Sequence, residues 1–125
     1  MNLNQITVSS LDARSAVSFY KKLGLKLIVD ALPRYARLEC PNGDSTFSIH
    51  QVEDLPINNS VTLYFEVENL SKTVSELQQK GITFNTEILE QSWLWNEVYL
   101  KDPDGNTIII YHAGKNRKNP PWRIN

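Results

Sequence analysis

A single cysteine, a single methionine and only five glycines in 125 residues set aside several kinds of protein at once. Cys40 has no second thiol to pair with inside the chain, and no paired-cysteine metal spacing exists. Charge of one sign is lacking too: 13 basic residues against 14 acidic ones leave a formal net charge of −1. No global positive field therefore draws in phosphate backbones or anionic lipid, and nucleic acid is excluded as an expected partner. No apolar run approaches the roughly 20 residues that span a bilayer, so no membrane association is expected either. There is no glycine-rich phosphate loop and no Gly-x-Ser-x-Gly elbow. Met1 is followed by Asn2-Leu3-Asn4-Gln5 instead of a basic and then apolar leader, and the expected location is cytoplasmic.

What is present is a composition that is 41% hydrophobic and 22% charged, enough apolar material for one globular domain spanning 1–125. A repeat organises it. Two helix-like segments, Asp12 to Gly24 and Asn69 to Gly81, carry matching punctuation: an N-cap residue at the start and a glycine at the stop. Apolar residues at Ala16, Val17, Tyr20 and Leu23, and at Leu70, Val74 and Leu77, fall on one helical stripe each. A strand precedes each helix, Leu3 to Ser9 and Ser60 to Val67. Three strands follow each: Lys26 to Asp30, Tyr35 to Cys40 and Thr46 to Val52, then Thr83 to Thr86, Trp93 to Lys101 and Thr107 to Tyr111. The predicted class is α+β, two tandem βαβββ modules at about 1–53 and 60–112, with a linker at 54–59 and a tail at 113–125.

Period-2 alternation assigns the strand faces. Ile6 and Val8, Phe47 and Ile49, Val61, Leu63, Phe65 and Val67, and Leu94, Val98 and Leu100 form apolar faces suited to lie under the helices. The opposite faces carry Gln5, Ser48, His50, Thr62, Tyr64, Glu66, Trp95, Glu97 and Tyr111. That mixture of aromatic and hydrogen-bonding groups is what lines small-molecule sites.

Several segments in this order resemble the vicinal oxygen chelate superfamily, which holds glyoxalases, bleomycin-resistance proteins and extradiol dioxygenases. They are Asn4-Gln5-Ile6-Thr7-Val8, Leu11-Asp12 with Ser15, Phe19-Tyr20-Lys21-Lys22-Leu23-Gly24, Tyr64-Phe65-Glu66-Val67-Glu68-Asn69-Leu70, and Asp102-Pro103-Asp104-Gly105-Asn106. The resemblance covers almost the whole chain. It implies modules whose mixed sheets curl into a cup around a small-molecule ligand, commonly in a homodimer. It also implies metal ligands on the first and fourth strands of each module, here Gln5, Ser48, Thr62 and Ile109. Of these only Gln5 is a serviceable ligand; Ser48 and Thr62 carry neutral hydroxyls and Ile109 has no donor. The expectation is therefore no metal at those positions and no other cofactor. A displaced divalent-metal site would draw on His50 with Glu66 or Glu97, and metal-free acid-base catalysis on His50 and Glu97. Against both stands His50 as a plain hydrogen-bonding residue, with the glutamates solvated or paired with Arg37.

Trp93-Leu94-Trp95-Asn96-Glu97 and the tail ending Asn119-Pro120-Pro121-Trp122-Arg123 resemble a subgroup of that superfamily sharing both features. Trp95 and Trp93 suit the stacking of a flat or cationic ligand, or equally a core or dimer interface. Arg37 or Arg117 suits a bidentate carboxylate contact. The basic run Lys115, Arg117, Lys118 and Arg123 reads as a solvated face. Pro120-Pro121 predicts an extended tail anchored by Trp122. Cys40 reads as a small buried hydrophobe on its strand. The functional expectation is a binder or sequesterer of a small organic molecule, its ligand-binding residues Gln5, Arg37, Ser48, His50, Tyr64, Glu66, Trp95, Glu97 and Tyr111. The alternatives are a lyase or dioxygenase-type enzyme and a non-catalytic interaction module.

Overall fold

Asp12 and Asn69 close two helix N-termini in the same way. Each sits in extended backbone, and its side-chain oxygen accepts from the amide three residues on, Ser15 at 3.2 Å and Lys72 at 3.1 Å. One otherwise unpartnered donor is satisfied at each end. The computed structural model, which describes residues 2–57 and 61–124, places helix α1 at Ala13–Lys22 and α2 at Leu70–Gln79. Gly24 and Gly81 follow with φ of 102° and 87°, the left-handed region a glycine enters without a Cβ clash.

The strands are β1 (Gln5–Ser10), β2 (Lys26–Ala31), β3 (Tyr35–Glu39), β4 (Thr46–Gln51), β5 (Thr62–Glu66), β6 (Leu89–Glu90), β7 (Asn96–Lys101) and β8 (Thr107–His112). They form two four-stranded mixed sheets ordered β1-β4-β3-β2 and β5-β8-β7-β6. In each, the first strand runs parallel to the last and the other neighbours are antiparallel. The βαβββ repeat predicted from the sequence is thus present in both halves. None of the described helices is long and apolar enough to cross a membrane.

The chain forms two compact units, the first taking the N-terminal half together with Asp102–Gly105. Its core joins Val8, Ala36, Leu38, Phe47 and Ile49 from the sheet to Ala16, Val17 and Tyr20 of α1, all buried. The Tyr20 and Phe47 rings meet at 4.3 Å between centroids, and removing each large side chain from water is worth about 1.5–3 kcal/mol. Leu3, expected in the first strand, lies outside it and is exposed, because the β4 ladder begins at Thr46 opposite Gln5. Ile6 also stays partly exposed on this edge strand. Cys40 lies one residue beyond β3 and is half-buried instead of buried; desolvation pushes its thiol pKa up. The Asp102–Gly105 turn has structural work to do here. Tyr20 Oη donates to Asp102 Oδ2 at 2.7 Å, the Leu11 amide donates to Asp104 Oδ1 at 2.8 Å, and the Gly105 amide donates to the Asp102 carbonyl at 3.0 Å.

The second unit buries Leu63, Val98, Leu100, Ile108 and Ile110 with Leu70 and Leu77 of α2. Three expectations fail in it. Thr83 to Thr86 is not a strand: the Asn85 amide reaches the Tyr99 carbonyl at 2.7 Å, but the Tyr99 amide is taken by the Thr86 hydroxyl at 3.2 Å. A side chain standing in for a backbone acceptor ends the ladder, and the paired segment comes later, at β6. Trp93 to Trp95 is not strand either but the loop of the β6–β7 hairpin, closed by Gln91 amide to Trp95 carbonyl at 2.8 Å. Leu94 makes the reversal with φ of 69°. The tail is not extended: Gly114–Arg117 forms a 3-10 turn and Arg123 bonds back to Pro120, with Trp122 exposed. Ser60, expected to open the fifth strand, and the linker's Asn58 and Asn59 lie outside the described residues.

Candidate functional site

Alternation along β5 and β8 puts Thr62, Tyr64, Glu66, Ile109 and Tyr111 on the sheet face away from the Leu63–Ile108 core. The hairpin loop then lays Trp95 on Tyr111. Their rings are stacked 4.5 Å apart at 12°, and Tyr64 meets both edge-on at 6.2 and 5.8 Å. Such pairs add about 0.5–1.5 kcal/mol each beyond their buried area. Trp95 Nε1 donates to the Asn116 carbonyl at 3.3 Å, which ties the indole to the 3-10 turn. Tyr111 is buried and its pKa is raised, first by desolvation and then by the Glu66 carboxylate. Tyr64 stays 53% exposed and offers the open ring of the group.

Glu97 stands beside this cluster and is 2% exposed. Its Oε1 accepts from Trp93 Nε1 at 2.9 Å; its Oε2 accepts from Tyr99 Oη at 2.9 Å and, in a longer contact, from Gln91 Nε2 at 3.4 Å. A buried carboxylate needs such donors. The bond to Glu97 is also the main reason the Tyr99 pKa is raised. Glu66 holds the start of the tail: its Oε2 accepts from the Ala113 and Gly114 amides, both at 2.9 Å, and its Oε1 lies 3.4 Å from Arg117 Nε. The arginine beside Glu66 is thus Arg117, where the sequence had offered Arg37.

In the first unit, β3 and β4 present a polar face of Tyr35, Arg37, Ser48 and His50, with Arg37 opposite Ser48 and Tyr35 opposite His50. Tyr35 Oη and the fully buried Ser48 Oγ are 2.7 Å apart, and Arg37 Nε donates to Tyr35 Oη at 3.0 Å. These partners lower the Tyr35 pKa, Ser48 more than Arg37. His50 is exposed. Gln5 Oε1 accepts from Thr46 Oγ1 at 2.8 Å on the exposed margin.

The structure brings together Tyr64, Trp95 and Tyr111, with Glu66 and Glu97 among their neighbours, in the second unit, and Arg37 with Ser48 in the first. His50 belongs to the first unit and Glu97 to the second. The four positions that the superfamily resemblance makes metal ligands are poor hosts for a divalent ion. The Ser48 hydroxyl is shared with Tyr35, the Gln5 oxygen already accepts a bond, Thr62 offers a neutral hydroxyl and Ile109 offers nothing. Among the described residues, no three His, Cys, Asp or Glu side chains gather closely enough to hold a metal. Sequence reasoning missed Tyr35, Tyr99 and Gln91. Tyr35 was findable, since it stands two residues before Arg37 on an alternating strand. Gln91 was hidden by reading Trp93 to Lys101 as one straight strand.

A family model described as the Glyoxalase/Bleomycin resistance protein/Dioxygenase superfamily matches residues 2–110. No curated protein sequence matches the chain significantly. Among solved structures, a glyoxalase/bleomycin resistance protein/dioxygenase from Nocardioides superposes with a TM-score of 0.78 at 18% identity, covering 100% of this chain and 90% of its own. A bleomycin resistance determinant encoded on transposon Tn5 gives 0.74 at 17% identity, covering 90% and 98%. A lactoylglutathione lyase from Agrobacterium tumefaciens gives 0.72 at 15% identity, covering 90% and 93%. At these identities the likeness is one of fold.

Proposed function

The chain belongs to the Glyoxalase/Bleomycin resistance protein/Dioxygenase superfamily, and from that premise we propose that it binds and sequesters a small organic molecule without the family's usual metal. The observation that carries this reading is the open Tyr64 ring set edge-on to the stacked Trp95 and Tyr111. A flat or conjugated ligand laid there gains apolar contact and ring–ring attraction at little entropic cost, because the stacked pair is already ordered. Glu66 and Glu97 are the polar groups beside these rings from which orientation would come, while Gln5, Arg37, Ser48 and His50 are the candidate polar ligand contacts of the first sheet. We take the binder to be a cytoplasmic homodimer.

Support for binding over catalysis is chemical. A sequesterer needs affinity alone, whereas the metal-dependent lyase and dioxygenase activities need an ion with open coordination, and the donor set at Gln5, Ser48, Thr62 and Ile109 suits none. The test is a tryptophan-fluorescence titration with a panel of flat conjugated molecules, bleomycin among them. Saturable quenching that disappears in Trp95→Phe and weakens in Tyr64→Ala is the expected result; quenching that neither variant alters overturns the reading. Elemental analysis after purification without chelator addresses the metal. One stoichiometric ion per chain, lost in His50→Ala, would replace the proposal with a displaced metal site.

A further inference from the structure

Arg37 is a half-buried cation to which no described residue of its unit supplies a countercharge. Along β3 it shares a face with Tyr35, and its side chain folds back over that ring, the guanidinium carbon 5.7 Å from the ring centroid. Nε is spent on Tyr35 Oη at 3.0 Å. Tyr35 is itself fixed from behind by the fully buried Ser48, 2.7 Å away. Among the described residues no carboxylate comes within ion-pair range of Arg37; Arg117, the other candidate arginine, is engaged by Glu66. The acid on this face of β3 is Glu39, exposed at the far end and opposite Lys26 of β2.

We propose that Arg37 and Tyr35 form an oxyanion-binding site on the first sheet, taking the carboxylate or phosphate group of a small molecule. A guanidinium is a rigid fork, and fixing Nε and the ring stack leaves the terminal amino groups as preoriented donors spaced for two oxygens of one anion. The Tyr35 oxygen already accepts from Arg37, so when Ser48 donates to it as well, the phenolic proton is free to point at the same anion. His50 stands opposite Tyr35 in the ladder and is exposed. Fixing the side chain in advance removes much of the rotamer entropy a flexible surface arginine gives up on binding. The site lies wholly in the first unit and does not depend on the aromatic reading of the second sheet.

The test follows the Nε–H resonances of the arginines by NMR on the whole protein while acetate, inorganic phosphate or chloride is added. Exposed Arg14 and Arg34 serve as internal references. Arg37 is expected to shift saturably at an acetate or phosphate concentration at least about tenfold below that which moves the references. Chloride should leave it with them, and Tyr35→Phe should raise the half-saturation by roughly three- to tenfold while leaving amide dispersion native. Stronger saturation by acetate assigns a carboxylate, stronger saturation by phosphate a phosphate ester. The proposal is overturned if Arg37 titrates together with Arg14 and Arg34, if chloride matches the oxyanions, or if Tyr35→Phe changes nothing. Those results would leave the Trp95 fluorescence assay unaffected, so the two readings fail separately.

Discussion

The phenol of Tyr20 donates to the carboxylate of Asp102 across 2.7 Å, with both residues buried and 82 positions apart in the chain. Hydrogen bonds to a charged partner contribute about 1.5–3 kcal/mol. Tyr20→Phe should cost that much in chemical denaturation, with the cooperativity slope unchanged.

Burial of Tyr20 beside Asp102 also shapes stability in alkali. Desolvation first, then the Asp102 charge, raises the Tyr20 pKa far above its ordinary value of 10.0. A folded pKa above the unfolded one means that stabilisation is complete below about pH 10 and is lost as pH rises beyond it. Above that point the unfolded chain releases a proton that the folded chain keeps, and stability falls by about 1.4 kcal/mol per pH unit from this group. Denaturation between pH 9 and 11 should therefore be less steep in pH for Tyr20→Phe than for the parent.

Glu97→Gln tests the buried carboxylate beside the aromatic face. It keeps the size of the side chain but weakens its bonds to Trp93 and Tyr99, and the expected cost is roughly 1–3 kcal/mol. Because Glu97 is the main cause of the raised Tyr99 pKa, a difference titration at 295 nm should show one phenol ionising at lower pH in the variant. An unchanged phenol titration would count against the Tyr99 bond.

Leu94 carries the one non-glycine positive φ among the described residues, 69°. The left-handed region costs an ordinary residue about 1–2 kcal/mol and a β-branched one more. Leu94→Gly should be more stable than Leu94→Val by roughly that amount, as measured by thermal unfolding of the two variants side by side.

Asn69→Ala should lower stability by about 1 kcal/mol through loss of the α2 cap, with Asn69→Ser close to neutral. Helix content at 222 nm separates this local effect from a global loss.

The helices were legible because their signals are local: Asp12 and Asn69 at one end, Gly24 and Gly81 at the other. Within the strands face assignment was legible for the same reason, since alternation depends on parity alone: Tyr64, Glu66 and Tyr111 lie on the face their parity gave, whereas Val61 and Leu94, assigned to the apolar face, fall outside β5 and β7 and are exposed. The β6–β7 hairpin was not legible. Trp93-Leu94-Trp95 has the composition of a strand, and it turns because Gln91 and Trp95 close a loop around a left-handed leucine, a tertiary choice against local preference. The tail misled in a similar way. Pro120-Pro121 does stop a helix, but Glu66 on a distant strand captures the Ala113 and Gly114 amides and folds the segment back before the prolines are reached.

In both sheets the edge strand that opens the module is zipped in parallel to the strand that closes it. Gln5 must find Thr46, 41 positions away, and closing a flexible loop of that length costs about 3 kcal/mol before any contact rewards it. The helix and the two antiparallel hairpins between them can shorten that search only once they have formed. The opening strand is therefore expected to join its sheet late, with the longest closure and not the fast local helix setting the pace of each half.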